Sequence, residues 1–210
     1  MKNPKIALDL DGVICNFHEK LINVYNQKYN GKLTVNDIDC ELESLGPDLY
    51  PKVIQIFNEP GWFLDLELLP DAMNVISNYV EADYSVTICT APARDLTGYT
   101  NPGSASEKLI WIRKWLPFWA NNVIITRHKE LVHADILIDD TWHNIVNWCR
   151  EHPDGIGFLV DQPWNKSFTQ YPVNSIRGSL RDVITIIKKF WCPERGKFVY
   201  RLDELLSWRK

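Results

Sequence analysis

The fold of this chain is decided by Ile6–Phe17, which reads IALDLDGVICNF. Its first half is an apolar run suited to a buried strand, and the run ends in two aspartates one residue apart, Asp9 and Asp11. If the strand continued, both carboxylates would point to the same side, because side chains alternate along a strand. Gly12 then allows a turn in which the backbone approaches a ligand closely. The stretch therefore predicts a buried strand with two carboxylates that address a single substrate atom.

The rest of the chain alternates between predicted strands and predicted helices. Strand-like runs occur at 5–10, 85–89, 122–126, 135–138 and 157–160. Helical spacing of apolar residues occurs at 16–30, 51–57, 70–80, 143–151 and 180–190, and the capping-box sequence Ser104–Glu107 opens one more helix. This alternation predicts an α/β fold whose mostly parallel sheet is flanked by helices on both faces. The less regular stretch at 33–70 is predicted to be a small helical insertion.

The composition limits the class of ligand and of partner. The 210 residues carry a net charge of −4 and the sequence pI is near 5.7, so no overall basic field attracts nucleic acid. A small charged ligand, held by a few local groups, is expected instead. The chain shows no signal-peptide pattern and no apolar run near the about 20 residues that span a bilayer. We therefore expect a cytoplasmic protein with no membrane partner.

The cysteines are predicted to be reduced and structural. The five of them are odd in number, widely spaced and without a C-x-x-C pair, which disfavours both a disulfide framework and a structural zinc site. They are Cys15, Cys40, Cys89, Cys149 and Cys192. Cys15 lies near the two aspartates, but no histidine partner is evident, so packing is the preferred interpretation.

Polar residues follow four of the predicted strands. They are Asp9 and Asp11, Thr90, Arg127–Lys129, and Asp139 with Asp140. In a parallel sheet these strand ends meet at one edge, which is where ligands bind in such folds. Several carboxylates crowded together repel one another unless a divalent cation neutralises them. Oxygen ligands without paired histidine or cysteine favour Mg²⁺ over zinc.

The same groups suit the transfer of a phosphoryl group. Thr90 offers a hydroxyl and Lys129 a positive charge, which are the groups that stabilise the spreading negative charge of a transferring phosphoryl. A carboxylate can attack phosphorus to form an aspartyl-phosphate. The constellation therefore predicts phosphoryl chemistry.

Four motifs resemble, in order, those of the haloacid dehalogenase superfamily phosphatases. They are Asp9–Val13 (DLDGV), Ile88–Pro92 (ICTAP), Lys129 and Leu137–Asp140 (LIDD). A narrower set resembles the 5′(3′)-deoxyribonucleotidases: Phe17, Pro60–Phe63 (PGWF) followed by Leu69–Ala72 (LPDA), and Ile125–Lys129 (ITRHK). The likeness covers about residues 5 to 145, with weaker support to about 190.

The resemblance implies both an architecture and an activity. The architecture is a Rossmann-like catalytic core at 1–16 and 71–190 with a small helical cap at 17–70, followed by an amphipathic tail at 191–210. The activity is Mg²⁺-dependent hydrolysis of deoxynucleoside 5′- or 3′-monophosphates to nucleoside and phosphate through an aspartyl-phosphate.

Roles for individual residues follow from their places in the motifs. Asp9 would be the nucleophile and a metal ligand. Asp11 would protonate the leaving sugar oxygen and then activate water, and its backbone carbonyl would contact the metal. Asp140 would coordinate the metal directly, with Asp139 in support.

Substrate contacts are implied in the same way. Thr90 and Lys129 would hold the phosphoryl oxygens, and Arg94 is a further candidate because it lies where the family has a lysine. Aromatic faces can stack a base at about 1 to 3 kcal/mol each, and the candidates for this contact are Phe17, Phe57, Trp62 and Phe63. For the last three, core packing is an equally open interpretation.

Three alternatives stay open. A phosphatase of the same superfamily could act on a sugar phosphate or on a nucleic-acid 3′-phosphate, and a non-catalytic nucleotide-binding protein could use the same fold. A homodimer is a further open question. The basic tail, with Leu202, Leu205 and Leu206 at helical spacing, could dock on the core, pair subunits or contact nucleic acid, and docking is favoured because an amphipathic segment normally buries its apolar stripe.

Overall fold

The computed structural model of the protein describes residues 3–39 and 42–208. Cys40 lies outside the described residues, so the expectation of a reduced thiol there stays a prediction. The first two residues of the predicted core and the last two of the predicted tail also lie outside them. The thiols of Cys15 and Cys89 are reduced and buried, as the sequence predicted.

A parallel six-stranded sheet forms the centre of the protein, in the order β3-β2-β1-β4-β5-β6. The strands are β1 Lys5–Leu8, β2 Ser85–Thr90, β3 Val123–Ile125, β4 Ile136–Asp139, β5 Ile156–Val160 and β6 Ser175–Gly178. β1 lies between β2 and β4, and Ile6 pairs with Val86 on one side and with Ile136 on the other. The predicted α/β fold is confirmed.

The helices are those that the apolar spacing predicted, together with one in the tail. They are α1 Phe17–Tyr29, α2 Gly46–Phe57, α3 Ala72–Glu81, α4 Pro102–Trp115, α5 Trp142–Glu151, α6 Asp182–Phe190 and α7 Leu202–Leu206. α1 ends where the Asn-Gly signal indicated, because Asn30 adopts a left-handed conformation with φ of 48°. Most of these helices bury an apolar stripe against the sheet or against each other.

The start of α4 differs from the prediction. The helix begins at Pro102, and the side chain of Asn101 caps it by accepting a hydrogen bond from the N–H of Gly103 at 2.9 Å. The predicted capping box at 104–107 is therefore wrong. Ser104 already lies inside the helix, where its hydroxyl accepts a hydrogen bond from the N–H of Ala93.

Other boundaries and elements also differ. β1 ends at Leu8, because the chain turns at Leu10, whose carbonyl accepts hydrogen bonds from three following N–H groups. α2 begins at Gly46 rather than at residue 51, with Pro47 in its first turn, where a proline is tolerated, and Pro51 inside the helix. The sequence pattern missed β6 and a short hairpin formed by β7 Trp191–Cys192 and β8 Lys197–Phe198. Strands of two to four residues are too short to show a periodicity.

The predicted cap segment packs its aromatic residues over the end of the sheet. Phe17, at the start of α1, contacts the rings of Phe57, Trp62 and Phe63 at centroid distances of 5.5, 6.2 and 6.1 Å. These rings belong to the same apolar core as the strands beneath them. The cap residues therefore pack directly on the end of the sheet that carries the aspartates.

The basic tail docks on the core. Phe198 and Leu205 are buried within the main apolar core, and α7 contacts β6. Docking is the arrangement that the sequence favoured. Among the described residues, no helix has the length and the apolar character that crossing a membrane requires.

Candidate active site

The ends of β1 and β4 bring three acidic side chains together. Asp9 follows β1, and Asp139 and Asp140 lie at the end of β4; one carboxylate oxygen from each lies within 4.8 Å of the others. All three side chains are buried. Lys129 reaches the same point from the turn after β3, with Nζ 2.8 Å from Oδ1 of Asp9 and 2.6 Å from Oδ2 of Asp139. Four residues that the sequence placed at strand ends therefore do meet at one edge.

Three buried carboxylates share a single buried lysine in this cluster. Burial raises the pKa of Asp9 to about 7, although Lys129 opposes the rise. Burial and repulsion from Asp139 and Asp9 also raise the pKa of Asp140. Burial acts to lower the pKa of Lys129, but the attraction of Asp139 and Asp9 outweighs it and raises that pKa, so the amine stays charged. Three carboxylates against one ammonium leave a net negative charge, which a divalent cation would offset.

The donor set fits a hard divalent cation. Oδ1 of Asp9 is buried and has no hydrogen-bond partner, because Lys129 approaches it without hydrogen-bond alignment. Over 3–39 and 42–208 the grouped ligand atoms are carboxylate oxygens, with no histidine or cysteine among them. Such oxygens are the ligands that Mg²⁺ prefers. The residues present therefore suit Mg²⁺ better than zinc.

Asp139 and Asp140 differ in how far their oxygens are already occupied. Asp139 accepts hydrogen bonds from the Thr141 N–H at 2.9 Å and from the Asn144 amide at 3.1 Å, in addition to its ion pair with Lys129. Asp140 accepts one short hydrogen bond at Oδ2, and its Oδ1 has only a long contact of 3.4 Å from the Thr141 hydroxyl. Asp140 is thus the better placed of the two to offer an oxygen to a cation, and Asp139 is placed to support the cluster.

Asp11 belongs to a second group, centred on Lys108 of α4. Nζ of Lys108 lies 2.5 Å from Oδ2 of Asp11 and donates hydrogen bonds to the Thr90 hydroxyl at 2.9 Å and to the Ala91 carbonyl at 2.6 Å. The carboxylate of Asp11 is therefore not part of the three-carboxylate group. Thr90 lies at the end of β2, fully buried, as the sequence placed it.

Lys108 is the main site residue that the sequence reasoning missed. Ser104, Lys108, Trp111 and Ile112 form the buried face of α4 at helical spacing, and a lysine in such a face was the available signal. A buried lysine needs a partner to offset its desolvation, and here Asp11 provides it. The helical spacing predicted the helix, but it could not predict which strand end the buried face of α4 packs against.

A cavity of about 230 Å³ opens beside these groups. Its polar lining includes Asp9, Asp11, Lys108, Arg127, Lys129 and Asp140, and its aromatic lining includes Phe17, Phe57 and Phe63, with Nζ of Lys108 4.8 Å from the centroid of the Phe63 ring. Three residues predicted to contact substrate do not line it. Thr90 is fully buried, and its hydroxyl accepts a hydrogen bond from Lys108. Trp62 is buried beneath Phe17, where Lys20 lies over its ring, and Arg94 is exposed on the loop after β2. Arg127 reaches the cavity instead, and its Nη2 donates to the Pro92 carbonyl at 2.9 Å.

The turn after Asp11 packs tightly against Asp140. Gly12 has φ of 72°, and a Cβ there would lie 2.1 Å from Oδ2 of Asp140, so both the backbone angle and the space require glycine. The amide of Gln162 donates to the Gly12 carbonyl at 2.5 Å, and Nε1 of Trp164 donates to Oδ2 of Asp140 at 2.6 Å. The loop after β5 thus fixes both the turn and the carboxylate.

Gln162 and Trp164 were also missed by the sequence reasoning. They lie in a polar loop, and its residue pattern gave no signal that it folds over the end of the sheet. Their position depends on Arg177 of β6, which pairs with Asp161 and donates to Oδ1 of Asn165 at 3.0 Å. Asn165 in turn donates to the backbone carbonyl of Asp140 at 2.7 Å.

Cys15 lies beside Asp11, with Sγ 3.5 Å from Oδ1. Burial and the charge of Asp11 raise the pKa of this thiol well above its usual value, so it is not a thiolate nucleophile. The packing interpretation from the sequence is confirmed.

Known proteins resemble this chain in both sequence and fold. The sequence profile of the family described as 5′ nucleotidase, deoxy (Pyrimidine), cytosolic type C protein matches residues 3–190. The cytosolic type 5′(3′)-deoxyribonucleotidase of Homo sapiens is 30% identical over 172 residues, covering 70% of this chain and 81% of that protein. The 5′(3′)-deoxyribonucleotidase of Clostridium acetobutylicum is 29% identical over 174 residues, covering 81% of this chain and 89% of that protein.

The solved structures show the same fold at low identity. A haloacid dehalogenase-like protein from Agrobacterium tumefaciens superposes with a TM-score of 0.53 and 12% sequence identity. The match covers 90% of this chain and 99% of that one. The parallel sheet with flanking helices is thus the haloacid dehalogenase-like architecture.

Proposed function

The chain belongs to the family described as 5′ nucleotidase, deoxy (Pyrimidine), cytosolic type C, which is a family of phosphatases. We propose that this protein hydrolyses deoxynucleoside 5′- or 3′-monophosphates to nucleoside and phosphate in the presence of Mg²⁺. One observation carries the proposal: the buried carboxylates of Asp9 and Asp140 and the amine of Lys129 line the same cavity as three phenylalanine rings. A nucleoside monophosphate has the matching groups, a dianion and a base.

The phosphate end is bound by positive charge and a hydroxyl. Lys129 and Lys108 both line the cavity, and Thr90 lies within hydrogen-bond distance of Lys108. Lys129 pairs with Asp9 and Lys108 pairs with Asp11, so each amine lies beside one of the two proposed catalytic carboxylates. Fixed positive groups in a largely buried site stabilise the charge that develops on the transferring phosphoryl oxygens.

The reaction proceeds in two halves. In the first, a carboxylate oxygen of Asp9 forms a bond to phosphorus while the bond from phosphorus to the sugar oxygen breaks, and Asp11 gives its proton to the leaving oxygen. In the second, Asp11 takes a proton from water, whose oxygen attacks phosphorus and releases the Asp9 carboxylate and phosphate. Lys108 holds Asp11 at the position where it gives the first proton and takes the second.

Asp9 and Asp140 would hold Mg²⁺ through their carboxylates, with the backbone carbonyl of Asp11 as a further ligand and Asp139 in support. When bound, the cation neutralises the carboxylate cluster and the phosphate dianion, so that a negative nucleophile can approach a negative ester. Oδ1 of Asp9, which accepts no hydrogen bond, and Oδ1 of Asp140, which has only a long one, support this assignment.

The base and the sugar are selected elsewhere in the same cavity. Phe17, Phe57 and Phe63 provide faces and edges that can pack against a base. A deoxyribose is favoured where no group is available to pair a 2′-hydroxyl, because an unpaired buried hydroxyl is costly. We also propose a cytosolic location for this protein, because the human relative is named as the cytosolic type.

A substrate panel tests the function. Phosphate release is measured with Mg²⁺ and with EDTA on dUMP, dTMP, UMP, 3′-dUMP, a hexose phosphate and a 3′-phosphorylated oligonucleotide. We expect the highest kcat/KM on the deoxynucleoside monophosphates and no release in EDTA. A preference for the hexose phosphate or the oligonucleotide would contradict the proposed substrate, and tight nucleotide binding without phosphate release would contradict catalysis.

The nucleophile is tested by Asp9→Asn. The substitution is nearly isosteric, so the fold should persist, while phosphate release should fall by at least about 10³-fold because the attacking oxygen is lost. Asp154→Asn, at an exposed position outside the cavity, is the matched control and should keep full activity. Retained turnover in Asp9→Asn would remove Asp9 from its proposed role.

A further inference from the structure

One buried polar side chain of the cavity takes no part in the mechanism above. His18, in the first turn of α1, is 7% exposed and lines the cavity. Its Nδ1 is buried without a hydrogen-bond partner, and we find no hydrogen bond from its ring to any residue that the structure describes. Buried polar groups are nearly always paired, so an unpaired one in a ligand cavity points to a partner on the ligand.

The ring of His18 is held firmly in place. Its face stacks on the indole of Trp164 at a centroid distance of 3.8 Å and an interplanar angle of 20°, and Phe17 meets it edge-on at 5.4 Å and 83°. Trp164 is itself fixed by its hydrogen bond to Asp140. These contacts orient the imidazole, so that its nitrogen-bearing edge can hydrogen-bond a ligand group without reorganisation.

The imidazole is neutral. Burial lowers the pKa of His18 to about 4, and the charge of Asp11 opposes this only in part. A neutral imidazole offers one donor and one acceptor, which suits a hydroxyl group. It does not suit a phosphate dianion, for which the site already holds Lys108 and Lys129.

The position of His18 indicates which hydroxyl it meets. One neighbour, Trp164, is bonded to the proposed metal ligand Asp140, and another, Phe17, is one of the aromatic residues that line the cavity. In a nucleoside monophosphate the sugar lies between the phosphate and the base. We propose that His18 hydrogen-bonds the free deoxyribose hydroxyl, the 3′-OH of a 5′-monophosphate, and so makes the enzyme discriminate against sugars that lack it. This inference rests on the proposed function.

The test compares two substrates that differ by one oxygen. The kcat/KM values for dTMP and for 2′,3′-dideoxythymidine 5′-monophosphate are measured for the wild type, His18→Phe and His18→Gln. The wild type should prefer dTMP by about 10- to 100-fold, because the pair is lost with the dideoxy substrate. In His18→Phe the preference should fall below about 3-fold. His18→Gln, which restores a donor and an acceptor, should recover part of it.

The outcomes separate this inference from the proposed function. If the wild type releases no phosphate from dTMP, the proposed function fails and the inference with it. If the wild type hydrolyses both substrates equally, or if His18→Phe keeps the wild-type preference, the inference alone is overturned. A loosened pocket would slow both substrates alike and leave their ratio unchanged, so the ratio distinguishes recognition from a structural role.

A second pair of substrates checks the position of the hydroxyl. The ratio of kcat/KM for dUMP to that for UMP reports on the 2′-hydroxyl and should not depend on residue 18. If His18→Phe changes the ratio for dUMP to UMP but not the ratio for dTMP to its dideoxy analogue, the contact belongs to the 2′-hydroxyl and the proposal is overturned. Should His18→Phe not fold, the wild-type preference and His18→Gln decide the question.

Discussion

At the scale of single residues, the site contains an acidic side chain, Asp9, whose ionisation is opposed by burial. Asp9 is 5% exposed, and its pKa of about 7 means that the folded protein resists its ionisation. When no cation is bound, an ionised carboxylate of this kind lowers the stability of the folded protein. Its perturbed pKa is also typical of a reactive group. The proposed nucleophile is therefore also a side chain whose ionisation burial opposes.

The first prediction concerns this cost. The pKa of Asp9 is higher in the folded protein than the ordinary value of 3.8, so between about pH 4 and pH 7 the folded state binds a proton that the unfolded state releases. Stability due to Asp9 is thus lost as the pH rises through this window. In EDTA, Asp9→Asn should leave the free energy of unfolding unchanged at pH 4 and raise it at pH 8 by a few kcal/mol, at most about 4.

The measurement is urea unfolding of both proteins at several pH values. Asp154→Asn, at an exposed position, is the control and should show no such pH dependence. A difference between Asp9→Asn and the wild type that is constant with pH would contradict the assigned shift of the Asp9 pKa.

A second prediction concerns Trp164. Its Nε1 donates to Oδ2 of Asp140, and a residue that orients a metal ligand is typically worth 10- to 100-fold in metal affinity or activity. Trp164→Phe should therefore raise the Mg²⁺ concentration needed for half-maximal phosphate release by about 10- to 100-fold. The measurement is a Mg²⁺ titration of activity. Trp115→Phe is the matched control, because the buried Nε1 of Trp115 has no hydrogen-bond partner; an equal effect in both variants would contradict the proposed role.

At the scale of elements, α4 links the cap to the catalytic groups through two consecutive residues. Glu107 accepts hydrogen bonds from the N–H groups of Gly61 and Phe63 at 2.6 and 3.1 Å, while Lys108 pairs with Asp11 and lies over the Phe63 ring. One rigid helix thus sets the position of an aromatic wall residue relative to the proposed general acid. A helix suits this task better than a loop, because its backbone angles fix both side-chain directions.

The third prediction tests this link. Glu107→Gln keeps the size of the side chain but replaces one acceptor oxygen by an amide donor, which faces a backbone N–H. The loop that carries Phe63 should loosen, and KM should rise about 3- to 30-fold with a smaller change in kcat, since Phe63 is proposed to contact the base rather than the reacting atoms. Steady-state kinetics on dTMP measure both constants. Glu67→Gln, at an exposed position, is the control, and a loss confined to kcat would contradict the prediction.

At the scale of the whole molecule, the strand order places the site. The chain runs from β1 to β2 and β3 on one side and then returns to β4 on the other side of β1. The helices that follow β1 and β4 leave the sheet in different directions, and ligands bind at this kind of switch point. Asp9 and Asp140 flank it, so residues 131 positions apart in the chain can share one cation.

The fourth prediction follows from that sharing. A cation that binds the folded state only should stabilise it by about 2.7 kcal/mol at 100 times its dissociation constant. Mg²⁺ should thus raise the thermal midpoint in a saturable way, and EDTA should reverse the effect. Thermal unfolding with a Mg²⁺ series measures this. Asp140→Asn should abolish the rise and the control Asp154→Asn should keep it; a rise that persists in Asp140→Asn would place the cation elsewhere.

Much of the fold and of the acidic cluster could be predicted from the sequence. Asp9, Thr90, Lys129 and Asp140 come directly after or near the ends of apolar runs, and the parallel sheet follows from the alternation of strands and helices. Local patterns suffice here, because the end of a buried strand fixes where its next side chain lies. The predicted starting residues of helices such as α4 were less accurate, since neighbouring residues can each cap the same helix end.

The sequence by itself determined the order of elements, the identity of the reactive groups and the edge of the sheet at which they meet. Only the tertiary structure decided that Lys108 pairs with Asp11, that Trp164 holds Asp140, that His18 has no hydrogen-bond partner in the cavity, and that Thr90, Trp62 and Arg94 do not line it. Those facts depend on how a helix or a loop packs across the sheet. Contacts between residues far apart in the chain leave no periodic pattern in the sequence around either partner.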